Sequence, residues 1–348
     1  MTEAINLTVK TRIQETHDTV TLVFEETFDN LPYTSGQFLT VIVTLENEIF
    51  KREYSFSSSP QVDKHLAITV KRVNGGKVST FLTEEISRGD KISTLPPAGK
   101  FVANLSLNQK RTVVLIGGGS GITPLFSMAK SILAIEQNSK VYLLYANRTE
   151  NDIVFIDEWN KLRETYAGRF NNIDILSNPS SSWYGIKDRI SKDNLNYYLE
   201  QLPVIFPKET EYYLCAPKGL MTEIEDGLRN LNIPSAKIHR ESFGSSTTGT
   251  NAETTVNTDK LVKVKYRDEV YEIKVTSGKS ILKSALEQNI RIPFSCERGN
   301  CTACLGTCVT GKVDMGNNDT LSANELNKGY ILTCISKPLT DDVYIEID

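Results

Sequence analysis

Thr112-Val-Val-Leu-Ile-Gly-Gly-Gly-Ser-Gly-Ile-Thr-Pro124 is the stretch on which the fold turns. Thr112–Ile116 is an unbroken apolar run of the kind found in parallel strands buried on both faces. A glycine-rich loop follows, and then a helical pattern over Leu125–Ile135. The loop is not G-x-G-x-x-G, because Ile122 stands where the third glycine would fall. Counted from Gly119 it reads G-x-G-x-x-P, with Pro124 suited to a first helical position and Thr123 to a cap. Backbone amides and the helix dipole at such a junction can hold a dinucleotide pyrophosphate. By itself the same stretch also suits an ordinary strand–helix turn.

Downstream, strands are expected at Val141–Tyr145, Asn172–Leu176 and Glu211–Cys215, with a helix over Ile153–Tyr166. Strands alternating with helices predict a doubly wound α/β domain. Upstream the texture is β. Thr19–Glu25, Gln37–Leu45, Arg52–Ser58 and Leu66–Val73 are rich in Val, Ile, Thr and aromatics, and turn signals separate them. A closed antiparallel barrel fits, with one helix at Val78–Ile86. Beyond residue 243, Gly244–Thr255 is polar and Gly/Ser/Thr-rich, with the composition of a flexible linker. A hairpin over Leu261–Val275 and a helix over Ser280–Gln288 follow.

Five of the six cysteines lie in this last segment. Cys296, Cys301 and Cys304 have the C-x4-C-x2-C spacing of plant-type [2Fe–2S] sites, and Cys334 supplies a distant fourth thiol. Two irons need four converging thiolates; a tight loop delivers three, and Gly299 lets it turn. Structural zinc more often draws on paired C-x2-C units, of which there is one here. Cys308 breaks the pattern as a ligand and suits a small buried hydrophobe.

Composition narrows the rest. The chain has 348 residues, 39% hydrophobic and 24% charged, with a formal net charge of −4. Nothing in this balance suggests nucleic acid or an anionic membrane as partner. No apolar run nears the roughly 20 residues of a spanning helix. Met1–Lys10 lacks the layout of a signal peptide, so a cytoplasmic location is expected. Cysteines there are more often ligands or buried thiols than disulfides.

Four signatures come in one order: Arg52-Glu-Tyr54-Ser55, Gly76-x-x-Ser79, Gly119-x-Gly121-x-x-Pro124 and Cys215-Ala-Pro217. With the C-terminal cysteines they resemble the ferredoxin–NADP+ reductase superfamily. Within it they are similar to the reductase components of bacterial oxygenases, of the phenylacetyl-CoA epoxidase reductase type. The resemblance spans essentially the whole chain. It implies a multidomain protein, α/β plus β: an antiparallel β-barrel flavin domain over 1–105, a doubly wound parallel α/β NAD(P) domain over 106–244, a linker at 245–257, and a β-grasp [2Fe–2S] ferredoxin-like domain over 258–348.

The resemblance also implies roles. Arg52 would pair with flavin phosphate, Tyr54 would lie against the isoalloxazine ring of FAD, and Ser55 would sit near its reactive edge. Gly76 and Ser79 would bind the flavin pyrophosphate. Gly119, Gly121 and Thr123 would receive NADH or NADPH, and Cys215 would approach the nicotinamide. Ser55 and Cys215 are thus the catalytic candidates, and Glu241 with Phe243 matches the family's E-x-F end. Cys296, Cys301, Cys304 and Cys334 would ligate the cluster. Two departures stand out: Ala216 replaces a usual glycine, and Thr302 stands beside the second ligand in place of one. Arg148 and Arg189 are candidates for a 2′-phosphate, which would favour NADPH; both also suit plain surface positions.

The implied activity is hydride transfer from NAD(P)H to FAD, then single electrons through the cluster to a partner protein, an oxygenase component such as a phenylacetyl-CoA epoxidase. Three alternatives remain open at this level. They are a reductase for a desaturase or other redox protein, a reductase working backwards from reduced ferredoxin, and a non-catalytic carrier. The hydride-donor signatures count against the carrier, and the fused ferredoxin domain against reverse flow.

Overall fold

The computed structural model describes residues 4–203, 207–243, 258–316, 318, 320–321 and 323–347. They divide into two compact units, one running to Phe243 and the other formed by the C-terminal segment. The linker expected at Gly244–Thr255 lies outside the described residues.

The first unit begins with six strands: β1 (Ile5–Thr16), β2 (Thr19–Thr27), β3 (Phe38–Leu45), β4 (Glu48–Ser55), β5 (His65–Lys71) and β6 (Lys91–Thr94). Their order is β4-β3-β6-β1-β2-β5, with antiparallel neighbours throughout. Phe56 bridges to Ile68, just past β4 and on β5, and so closes the sheet into a barrel. Closure leaves no open strand edge. Leu7, Leu22, Phe24, Leu39, Phe56 and Ile68 fill it. The strands β1 and β6 had no expectation from sequence. The helix expected at Val78–Ile86 is α1 (Lys77–Thr80) followed by a wider turn of π type over Phe81–Glu85. Within it the Thr83 hydroxyl donates to the Ser79 carbonyl at 2.8 Å, a local bond that competes with regular helix bonding.

The same unit continues with a six-stranded parallel sheet. Its elements are β7 (Thr112–Gly118), α2 (Ile122–Ile135), β8 (Lys140–Asn147), α3 (Ile156–Thr165), β9 (Phe170–Leu176), β10 (Ile186–Lys187), α4 (Leu195–Glu200), β11 (Glu211–Cys215), α5 (Lys218–Asn230) and β12 (Ile238–Glu241). The order is β10-β9-β8-β7-β11-β12. Alternate residues of β7 feed two cores: Val113 and Leu115 on one face, Val114 and Ile116 on the other. This explains the unbroken apolar run. The chain moves outward from β7 through β8 and β9, then returns to the far side of β7 as β11. Ligand crevices open at such reversals, beyond the carboxyl ends of the strands. The helix expected from Ile153 starts at Ile156, because Phe155 takes a left-handed conformation (φ 62°) and stacks on Phe126 at 4.3 Å.

Small hydroxyls join barrel and α2. Ser131 meets Ser35 and Ser59, the latter at 2.7 Å, and Ser127 donates to the Ser58 carbonyl. Lys130 pairs with Asp63 and lies 4.3 Å from the Phe126 ring centroid.

The second unit contains β13 (Lys260–Tyr266), β14 (Glu269–Val275), α6 (Ile281–Glu287), β15 (Leu305–Thr310), β16 (Val313–Asp314), α7 (Ala323–Asn327), β17 (Tyr330–Leu332), β18 (Lys337–Pro338) and β19 (Tyr344–Ile347). The main sheet runs β14-β13-β19-β15-β17, with β13 parallel to β19, and β16 pairs with β18. Ser280 caps α6, accepting from the Lys283 amide at 3.2 Å. Ile281, Leu282 and Ala285 pack into the core, as the helical period predicts. This is the expected β-grasp arrangement. Among the described residues no helix is long and apolar enough to cross a membrane.

The end of α2 is held by a fork. Arg111 donates from Nη2 to Glu136 Oε1 at 2.8 Å and from Nε to Oε2 at 3.1 Å, with Glu136 fully buried. Glu136→Ala leaves a largely buried guanidinium without its countercharge. Such losses cost about 3–5 kcal/mol. A fall in the melting temperature of the first unit is the expected outcome, read by circular dichroism.

Candidate functional site

The register of the parallel sheet places Gly117, Cys215 and Glu241 side by side at the ends of β7, β11 and β12. Backbone contact requires glycine at 121, and side chains crowd Gly118. A Cβ at Gly121 would stand 2.0 Å from the Cys215 carbonyl oxygen, and one at Gly118 would stand 2.8 Å from Leu220 Cδ2. Gly119 differs: its φ is +53° and its Cβ position faces open space. Its carbonyl accepts from the Tyr145 hydroxyl at 3.0 Å, so its turn is pinned from β8. Tyr145 carries no sequence signal for this task, being one more residue of an apolar strand.

The helix start differs from expectation. A 3-10 turn over Gly119–Gly121 feeds α2, whose cap is Gly121. Thr123 is therefore inside the helix, buried, and its hydroxyl donates to the Ser120 carbonyl at 3.0 Å. Pro124 falls at the third helical position, where the missing N–H costs nothing because the first-turn amides have no intrahelical acceptor.

From the barrel, β4 brings its signature to the same place. Strand alternation puts Arg52 and Tyr54 on one face and Ser55 on the other. Ser55 is buried, and its hydroxyl donates to Glu241 Oε2 at 3.4 Å. Barrel and nucleotide domain thus meet at Ser55, Glu241 and Cys215. Burial pushes the Glu241 carboxyl up to about 8, against the opposing hydrogen bond from Ser55. Burial also pushes the Cys215 thiol up, and Glu241 adds to the effect. A thiol held protonated offers shape and polarisability, not a nucleophile.

Ser79 is buried and already engaged: its hydroxyl donates to the Gly76 carbonyl at 3.1 Å and accepts from the Val73 amide at 3.0 Å. It shapes the turn that opens α1. Arg52 donates to the Lys51 carbonyl at 2.7 Å, and its guanidinium carbon lies 5.8 Å from the Phe50 ring centroid. Lys77, next to Gly76, lies 5.7 Å from the same ring, and this pair of cations around Phe50 suits a flavin phosphate. Phe243 is 47% exposed just past β12, which removes the packing explanation for it. Arg148 and Arg189 are both exposed, at the ends of β8 and shortly after β10.

In the second unit Cys296, Cys301, Cys304 and Cys334 are all buried. Their thiols adjoin as a chain: Cys296 meets Cys301 and Cys334, and Cys304 meets Cys334. The amides of Arg298 and Asn300 both donate to Cys296 Sγ at 3.4 Å. With the hydrogen bond from Cys301 as the main cause, these donors hold the Cys296 thiol well below its usual range. Donors aimed at sulfur suit a thiolate ligand. The loop reaches this shape through left-handed turns at Glu297 (φ 57°) and Gly299 (φ 75°). Cys308 stands apart on β15. It is half-buried rather than a core hydrophobe, and its thiol donates to the Thr310 carbonyl at 3.2 Å. Burial falls steadily along β15 from Leu305 to Thr310, and Cys308 lies partway down that gradient. These four thiols fit a [2Fe–2S] cluster.

Serine substitution at Cys296, Cys301, Cys304 or Cys334 is expected to lose the cluster, while Cys308→Ser keeps about two irons per chain. Iron and acid-labile sulfide analysis reads this, with flavin retained in all five variants. A second expectation concerns Glu241. Its folded value of about 8 lies above the ordinary 4.5, so folding favours the protonated form. That contribution is full below pH 4.5 and is lost as pH rises through about 8. Ionisation also places negative charge beside Ser55 and Cys215. The rate of NAD(P)H oxidation should fall above about pH 8, and Glu241→Gln should abolish that inflection.

Comparison with known proteins agrees with this geometry. Residues 4–102 match the oxidoreductase FAD-binding domain, 115–226 the oxidoreductase NAD-binding domain, and 265–339 the 2Fe-2S iron-sulfur cluster binding domain. The chain is 32% identical to the ferredoxin reductase component of 3-ketosteroid-9-alpha-monooxygenase from Rhodococcus rhodochrous, over 99% of this chain and 97% of that one. It is 30% identical to one of the subunits of 1,2-phenylacetyl-CoA epoxidase from Escherichia coli (strain K12), over 100% of this chain and 99% of that one. Phthalate dioxygenase reductase shares the fold, with a TM-score of 0.57 at 24% identity over 99% of this chain and 98% of that one. The protein is an NAD(P)H-dependent oxidoreductase that uses FAD and a [2Fe–2S] cluster, passing reducing equivalents from nucleotide to flavin to cluster. It belongs to the ferredoxin–NADP+ reductase superfamily, among the oxygenase reductase components that carry FAD-binding, NAD-binding and [2Fe–2S] domains in one chain.

Proposed function

We propose that this chain is the reductase component of a multicomponent oxygenase, and that its acceptor is the oxygenase component. The observation that carries this is the fusion of a cysteine-ligated domain to a complete flavin and nucleotide unit. A reductase that feeds a separate ferredoxin needs no such domain. The relatives named above belong to a ketosteroid monooxygenase, as its ferredoxin reductase component, and to a phenylacetyl-CoA epoxidase; another serves glycine betaine monooxygenase. An epoxidase-type oxygenase acting on an acyl-CoA is the finer assignment that the sequence signatures favour. The cytoplasm, with its NAD(P)H pool, is the compartment that suits it.

In this proposal Arg52 neutralises flavin phosphate and the turn at Gly76–Ser79 faces the pyrophosphate. Tyr54 lies against the isoalloxazine and Ser55 holds Glu241 beside it. Gly119, Gly121 and Thr123 shape the cradle for the dinucleotide, Arg148 borders its adenosine end, and Cys215 and Phe243 shape the nicotinamide end. Cys296, Cys301, Cys304 and Cys334 ligate the cluster. The bound flavin supplies the change from a two-electron donor to a one-electron acceptor. The working boundaries are 1–105, 106–244 and 258–348, joined by 245–257.

The test separates flavin output from cluster output. Purified protein is expected to reduce both ferricyanide and cytochrome c with NAD(P)H. Cys304→Ser should keep the ferricyanide activity, which the flavin can supply, and lose most transfer to the oxygenase component. No NAD(P)H oxidation with any acceptor would leave only a carrier. Full oxygenase turnover by Cys304→Ser would remove the cluster from the route.

A further inference from the structure

The ends of β8 and β9 continue to pair beyond the sheet. The Ser177 amide donates to the Asn147 carbonyl at 3.0 Å, and the Asn178 amide to the Arg148 carbonyl at 2.8 Å. At the next rung a side chain replaces the backbone. The Ser180 amide donates to Glu150 Oε1 at 3.0 Å and Oε2 at 3.1 Å, and the Ser180 hydroxyl donates to the same carboxylate. Ser182 adds a hydroxyl 2.8 Å from that of Ser180. Glu150 opens a 3-10 turn that is itself fixed. Asp152 accepts from the Thr149 amide at 3.0 Å and the Thr149 hydroxyl at 2.7 Å.

An amide and a hydroxyl converging on one anion make a small anion socket at the carboxyl ends of neighbouring parallel strands. Its position is telling. The pyrophosphate cradle lies at the end of β7, so the adenosine half of a dinucleotide has the ends of β8 and β9 in reach. There the socket is filled by the chain's own carboxylate. A nucleotide with a 2′-phosphate would have to displace Glu150 and then tolerate its charge alongside. A free ribose diol would meet an acceptor already oriented, and carboxylates at this place in such folds accept from ribose hydroxyls.

We propose that Glu150, held by Ser180, is the residue that selects between the two nicotinamide nucleotides, and that it selects NADH. The inference rests on the hydride-donor site of the preceding section. It also sets the two exposed cations in context. Arg148 lies two residues before Glu150, on the neighbouring rung, and becomes a phosphate ligand once the carboxylate charge is gone. Glu150 touches only the nucleotide remote from the reacting ring. Its effect therefore belongs in KM and not in kcat.

The test is steady-state ferricyanide reduction by the full chain with NADH and with NADPH, comparing wild type, Glu150→Gln and Glu150→Gln/Arg148→Ala. Wild type is expected to favour NADH at least about tenfold in kcat/KM, a difference of about 1.4 kcal/mol. Glu150→Gln keeps the size and an acceptor for Ser180, and should raise the NADPH-to-NADH ratio at least about tenfold through KM. Adding Arg148→Ala should cancel most of that gain. In parallel, calorimetric binding of 5′-AMP and 2′,5′-ADP reads the socket without turnover. Wild type should bind 5′-AMP more tightly, and Glu150→Gln should reverse the order. A wild-type preference for NADPH, or an unchanged ratio in Glu150→Gln, would overturn the assignment. If neither nucleotide reduces ferricyanide, the reductase function fails separately, and the two fragments still decide whether Glu150 discriminates.

Discussion

Everything at the nucleotide end depends on one backbone approach: the turn after β7 lies against the end of β11. With 2.0 Å between a Cβ at Gly121 and the Cys215 carbonyl oxygen, no side chain larger than hydrogen is compatible with it. That approach puts a glycine cradle, the Cys215 thiol and Glu241 within a single crevice. Hydride transfer needs reacting atoms at about 3–3.5 Å. A crevice built from three adjacent strand ends offers such placement with little freedom left in the backbone.

The second requirement is that the flavin face stay where the crevice needs it. The barrel and α2 meet through buried serines, with one lysine–aspartate pair beside them. Small hydroxyls suit this junction. Each is both donor and acceptor, so Ser35, Ser59 and Ser131 satisfy one another at close approach. Ser55 and Glu241 complete the junction at the reacting end. Burial raises this carboxyl to about 8, which favours its neutral form beside Ser55 and Cys215.

The cysteine loop solves a different problem. Three thiols from one loop and one from a distant turn must share a space the size of a small cluster. Left-handed turns at Glu297 and Gly299 fold the loop back, and two amides then point at the Cys296 sulfur. The loop is shaped for anionic sulfur by its own backbone, and the β-grasp core behind it supplies the rigidity.

Much of this was legible in the sequence. The unbroken run Thr112–Ile116 determined a parallel strand with two covered faces, because only such a strand has no solvent side. The spacing of Cys296, Cys301 and Cys304 determined a cluster loop, because ligand geometry constrains spacing directly. The order of Arg52-x-Tyr54-Ser55, the glycine turns and Cys215 determined the family. Other features were decided by tertiary structure alone. Ser55 and Glu241 lie far apart in sequence, and only the closed barrel and the sheet register make them partners. Tyr145 pins Gly119 from a neighbouring strand, which no local pattern encodes. The early start of α2, with Gly121 and not Thr123 as its cap, goes with the close packing of Gly121 against the Cys215 backbone. Glu150 stands close to the end of the second α/β strand in the sequence, but only the β9 end brings Ser180 to hold it. Local spacing is written in the chain because covalent geometry enforces it; pairings across strands and domains are not, because packing alone sets them.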